Sequence, residues 1–228
     1  MIAHKKEFFG GLAMLGAFIV VLIIVFMPIF GGQNGLNYLD SLYNTISKGS
    51  AYYIPKVRET IDAFSDNSVS VTLTMAEAKR ANQSAPLLMK GGALVNVSGP
   101  ELKVSGDLSK ILGNCLDDAD FMYHNDGEAL FRKYGYDERR ILLNWWIALH
   151  HMEKDLKNQK KFKEAKVVAV VVKKAVELAY NYYKVEAQSI GDKIGIVIFS
   201  LVFYVVYTLW YGFAIMFMFE GWGMRLEH

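Results

Sequence analysis

Apolar positions along this chain fall into three regimes. From Gly10 to Phe30 and from Ile194 to Phe219 no charged residue interrupts them. Between those runs they recur at intervals of three and four, and one short stretch alternates.

The run beginning at Ile194 is long enough, at 1.5 Å per residue, to cross a hydrocarbon layer of roughly 30 Å. A bilayer tolerates only helices or closed barrels, so residues 193–219 are expected to form a transmembrane helix. Residues 10–30 predict a first one. Its apolar core is too long for a cleaved leader, and Gly31-Gly32-Gln33 is a poor cleavage site, so it reads as a retained signal anchor. Lys5 and Lys6 precede it, and no Lys or Arg follows until Lys48. By the positive-inside bias residues 1–9 and 220–228 are cytoplasmic, and 31–192 form an extracytoplasmic domain. Lys193 is a contrary signal. The expected location is a bacterial inner (plasma) membrane.

Residues 31–192 read as mostly helical with a small β element. Helical spacing marks Leu36 to Ser47, Ala51 to Phe64 with Pro55 near its start, and Ala76 to Met89 with Pro86 interrupting it. Ser68 to Met75 alternates, which predicts a short strand or an extended arm. Ala93–Val97 and Glu101–Val104 flank Ser98-Gly99-Pro100 and predict a hairpin. Asp107, Asp126 and Asp137 each stand where a helix cap belongs, and Phe162 to Tyr183 predicts one further helix. The fold class expected is a mainly α membrane protein, with two transmembrane helices flanking a helical domain large enough for its own core.

Within the second span Ser200, Tyr204, Tyr207, Thr208 and Tyr211 share one helical face. An unpaired hydroxyl in lipid costs about 1–3 kcal/mol, so this stripe should meet protein or water. Hydrogen bonding between helices is the favoured reading over a wet pore lining. Gly10, Ala13 and Ala17 form a small-residue face on the first span, and Gly191 and Gly195 a GxxxG at the mouth of the second. Both suit close helix packing, and the glycine pair equally suits a flexible junction. Trp146 and Tyr182, on second faces of their helices, are candidate contacts between outer domains.

Composition narrows the chemistry. Of 228 residues, 53% are hydrophobic and 21% charged, with a net charge of +2 and no basic patch interleaved with aromatics. Nucleic acid is not an expected partner. The single cysteine, Cys115, excludes an intrachain disulfide and reads as a small core residue. Asp117, Asp118, Asp120, His124, Asn125, Asp126 and Glu128 are dense in oxygen donors, but their spacing is not that of a calcium loop, and they read as caps and a solvated acidic turn. His150 and His151 are adjacent, about 100° apart on a helix, and unsuited to one metal. No nucleophile elbow, phosphate loop or dinucleotide fingerprint occurs. Leu226-Glu227-His228 reads as the start of an affinity tag.

These readings predict a non-enzymatic two-pass membrane protein without metal or cofactor. Its partners are the lipid bilayer and further copies of itself, in a structural or scaffold role. The alternatives are an oligomeric channel lined by the second helix, or a sensor input subunit that signals through a separate partner.

Overall fold

The computed structural model describes residues 2–224; the tag-like Leu226-Glu227-His228 lies outside them. The chain divides into two compact units. One comprises residues 1–49 and 187–228, the other Ser50–Glu186.

The first unit holds α1 (Lys5–Phe26), α2 (Gly35–Ser50) and α10 (Ile190–Gly221). Helices α1 and α10 are long and apolar enough to cross a membrane. Their 22 and 32 residues correspond to about 33 and 48 Å of helix. α1 stops at Phe26 rather than running to Phe30. The cause is Pro28, which forces Met27 into an extended conformation (φ −72°, ψ 145°). Ser189 caps α10, its hydroxyl accepting from the Gly191 N–H at 3.2 Å.

α1 and α10 pack antiparallel along a seam with 3–4 spacing. Phe8, Gly11, Leu15, Phe18, Leu22 and Val25 supply one side. Ser200, Phe203, Tyr207, Trp210, Ala214 and Gly221 lie along the other. All of these are buried or half-buried, and the repeat is the one that keeps two helices in register along a shared stripe. Gly11 permits the closest approach: a Cβ there would stand 2.7 Å from the Ala214 carbonyl oxygen and 2.8 Å from the Met218 nitrogen. Gly221 fits against the Phe8 backbone in the same way.

The second unit is a helical domain with one three-stranded antiparallel sheet. Its strands are β1 (Ser68–Thr74), β2 (Leu94–Ser98) and β3 (Glu101–Asp107), in spatial order β1-β3-β2. β1 joins the predicted hairpin through Val71 opposite Val104. The sheet is one-sided. Val69, Val71, Leu73, Leu102 and Val104 are buried, while Ser70, Thr72 and Lys103 on the other face are exposed.

Around the sheet stand α3 (Ile54–Asp62), α4 (Ala78–Lys90), α5 (Leu108–Tyr123), α6 (Gly127–Tyr134), α7 (Glu138–Asn158), α8 (Phe162–Val171) and α9 (Glu177–Asn181). Pro86 lies inside α4 without interrupting it; the carbonyl it leaves unengaged belongs to solvent-exposed Asn82. The single helix expected from Phe162 to Tyr183 is divided by a π-type turn at Val172–Val176, which keeps Val172, Ala175 and Val176 all buried. Asp107, Asp126 and Asp137 cap α5, α6 and α7. Trp145 and Cys115 are wholly buried in this core.

Candidate functional site

The polar groups of the helix pair are few, and the seam determines what each one does. Tyr43 on α2 and Ser200 on α10 share a 2.6 Å hydroxyl–hydroxyl hydrogen bond, and Ser200 also donates to the Val197 carbonyl at 2.8 Å. The Trp210 indole N–H donates across to the Met14 carbonyl at 3.1 Å. The Tyr207 ring stacks on Phe18 with centroids 4.2 Å apart, while its hydroxyl is buried with no hydrogen-bond partner among the described residues.

The five-residue hydroxyl stripe therefore splits. Ser200 and Tyr207 turn into the seam. Tyr204 and Thr208 face outward, with Tyr204 68% exposed, while Tyr211 is exposed but rests its ring against Phe18 with centroids 5.2 Å apart. The Thr208 hydroxyl is satisfied by the Tyr204 carbonyl one turn back, at 2.7 Å. The small residues are placed differently from the seam. Gly10, Ala13 and Ala17 are all exposed, one position (about 100°) round the helix from Gly11, Met14 and Phe18. Gly10 and Gly195 have open space where a Cβ would be, and Gly191 meets only the Ser189 hydroxyl at 3.5 Å.

The second unit contains a buried polar centre. Asp118 on α5 is fully buried. Its Oδ1 accepts from the Lys133 ammonium at 2.6 Å; its Oδ2 accepts from the Tyr134 hydroxyl at 2.6 Å and the Trp145 indole at 2.7 Å. Asn114, one turn earlier, accepts from Lys133 at 2.7 Å and donates to the Leu87 carbonyl at 2.9 Å. Three helices are thus joined at one carboxylate. Burial raises the Asp118 pKa, and the three donors pull against that rise. Burial beside Asp118 also pushes the Tyr134 phenol far above its ordinary range, and burial keeps Cys115 a thiol. Each Asp118 oxygen has its donors from within the fold, so this centre clamps helices together.

The acidic run around Asp118 does not converge. Asp117 pairs with Arg58 at 2.6 Å, Asp120 accepts from the Tyr52 hydroxyl at 2.7 Å, Asp126 caps α6, and Glu128 pairs with Arg132 at 2.6 Å. Of the caps and solvated turn expected there, Asp126 is a cap; Asp117 and Asp120 instead lie on α5 and Glu128 on α6, at exposed or half-buried positions, whereas Asp118 points into the core. Burial and the Asp120 bond push the Tyr52 phenol up to about 12. Among the described residues, no three His, Cys, Asp or Glu side chains gather as a metal site needs. Trp146 is partly exposed, with its indole donating to Glu177 at 3.0 Å and its ring against His150; Tyr182 is half-buried beside Tyr123.

No family model, curated protein or solved structure matches the chain. Its properties are therefore read from its own residues. One signal for the buried centre is visible in the sequence. Asp118 falls on the stripe of Ile111, Cys115 and Met122, so a carboxylate stands where α5 is otherwise apolar. Its partners Lys133, Tyr134 and Trp145 carry no such mark.

Proposed function

We propose that this is a non-enzymatic two-pass membrane protein, held in the bilayer by the α1/α10 pair and assembled from several identical copies. One observation carries the reading. Outside their seam the two helices expose large apolar side chains all along their length, among them Ile19, Ile23, Phe199, Val202, Val205 and Leu209. Neither helix has a charge between Phe8 and Phe26 or between Ile194 and Phe219. Soluble monomers rarely expose apolar patches beyond a few hundred Å², and a hydrocarbon layer accommodates such a surface without penalty. Assembly is the second part of the proposal. Tyr204 and Tyr211 are exposed, and their hydroxyls have no hydrogen bond among the described residues. A neighbouring copy would supply partners that lipid cannot. A conduit lined by α10 draws on the same outward residues, but Ser200 and Tyr207 are already engaged in the seam, which favours the anchored assembly.

The test has two arms. Alkaline carbonate should leave the full-length chain in the membrane pellet, and detergent should release it as a particle of several copies. Release by carbonate would refute the membrane anchor. For orientation, Ser65 is exposed in the second unit. With Cys115 replaced, Ser65→Cys should react with an impermeant thiol reagent in intact cells. Labelling only after lysis would reverse the proposed topology.

A further inference from the structure

The two edges of the sheet are treated differently. Along β1 the outer edge is closed by α7 and the turn after it. The Thr72 N–H donates to Asp155 Oδ2 at 3.0 Å, and the Gln159 amide donates to the Ser70 carbonyl at 2.8 Å. Along β2, among the described residues, no hydrogen bond reaches Leu94–Ser98 from outside the β3 ladder. Edges are usually guarded by charge, proline or a bulge. The β2 sequence, Leu-Val-Asn-Val-Ser, has no charge and no proline, and its regular register with β3 leaves no bulge. Leu94 is 78% exposed, and Val95 and Val97 pack against the core but are only half-buried.

We propose that this edge pairs antiparallel with the same edge of a second copy of the chain, about a twofold axis at Asn96. The strand is self-complementary about that residue: Val95 meets Val97 of the second copy, Asn96 meets Asn96, and Leu94 meets Ser98. The hydrogen-bonding phase agrees. Gly99, at φ +58°, opens a two-residue turn that brings Ser98 opposite Glu101. The turn bond runs from the Glu101 N–H to the Ser98 carbonyl, so Ser98, Asn96 and Leu94 direct their backbone groups at β3. Val95 and Val97 direct theirs at the open edge. In the pair these two residues exchange hydrogen bonds with each other's copies, and Val95 and Val97 complete their burial. Asn96 then faces Asn96 in the close, non-hydrogen-bonded position, with Cα atoms about 4.5 Å apart.

The contact deepens the self-association proposed above but uses residues of the second unit alone. Its strand is short for a stable interface. A shared membrane would raise the effective concentration of one copy for another.

Cross-linking of the full-length chain, reconstituted in liposomes and lacking Cys115, tests the register. Asn96→Cys should form a disulfide-linked dimer on mild oxidation. Lys103→Cys, on the same face but in the central strand, should not. Mixed Leu94→Cys and Ser98→Cys copies should cross-link to each other. Neither should cross-link to itself, because like positions, four residues out of register at ~3.4 Å per residue, would be about 14 Å apart. Absence of the Asn96→Cys dimer while the thiol still reacts with maleimide overturns the proposal, as does equal cross-linking at Lys103→Cys. A multimeric particle without these cross-links sinks this interface alone. Cross-links in a chain that carbonate releases sink the membrane reading and leave the interface standing.

Discussion

The Trp145 indole N–H donates to Asp118 Oδ2 at 2.7 Å, and neither side chain reaches solvent. A carboxylate this deep is tolerated because Lys133 and Tyr134 supply its remaining donors. Removing it would leave the indole and the phenol without their acceptor and the Lys133 ammonium with Asn114 alone inside the fold. We expect Asp118→Ala to cost about 3 kcal/mol or more in denaturant unfolding. Asp117→Ala breaks an ion pair whose side chains are 42% and 53% exposed, and should cost about 0–1 kcal/mol. Equal costs for these adjacent carboxylates would refute the clamp.

The same centre sets a pH dependence. Burial raises the Asp118 pKa above its ordinary 3.8, so the folded chain takes up this proton more readily than the unfolded chain. Its contribution is greatest below that ordinary value and declines as pH rises through the window up to the folded pKa. Glu138 behaves oppositely. A hydrogen bond from its own backbone N–H, then one from Tyr183, holds its carboxyl below the usual range. Its contribution is present above that range and is lost as pH falls through the lowered value. The stability of the wild-type chain relative to Asp118→Asn should therefore fall as pH rises from about 4. Relative to Glu138→Gln it should rise over the acid range. Parallel pH profiles for all three chains would refute both assignments.

The neighbouring glycines of α1 give a sharper contrast. A Cβ at Gly11 would collide with the α10 backbone, whereas at Gly10 it meets open space. Gly11→Val should force the helices apart and cost about 1–3 kcal/mol. Gly10→Val should leave thermal unfolding of the isolated particle unchanged. If Gly10→Val is the damaging substitution, the α1/α10 seam is placed wrongly.

That pair also shows where sequence reasoning stops. The two long apolar runs and the caps at Asp107, Asp126 and Asp137 were legible, because charge exclusion and N-cap chemistry are local. The seam was not. Its 3–4 spacing is present at Phe8, Gly11, Leu15 and Phe18, but every other position is also apolar, so the pattern has no polar background to stand against. The small-residue stripe of Gly10, Ala13 and Ala17 is the more visible feature and lies one position round the helix. The third strand pairing and the Asp118 centre depend on residues far apart in the chain, and spacing has no access to those contacts. Pro86 and the Val172–Val176 turn illustrate tertiary packing overriding local preference.

The outward and inward halves of the α10 hydroxyl stripe should separate by mutation. Tyr207→Phe keeps the ring stacked on Phe18 and removes a buried hydroxyl that has no partner among the described residues. Stability of the particle should be unchanged, or higher by about 1 kcal/mol. Ser200→Ala deprives Tyr43 of its 2.6 Å partner and should cost about 0.5–1.5 kcal/mol, the net worth of an ordinary hydrogen bond. The double variant Tyr204→Phe, Tyr211→Phe leaves both seam hydroxyls in place and keeps the Tyr211 ring against Phe18. If those hydroxyls bond a neighbouring copy, its particle should dissociate at milder detergent stress while each copy remains folded. Thr208→Cys, in a chain without Cys115, should resist small hydrophilic thiol reagents, because the proposed assembly is dry at that depth. Rapid modification there, together with currents that the modification blocks, would replace the anchored assembly with a pore lined by α10. An unchanged particle in the double variant would move the contact between copies away from this face altogether.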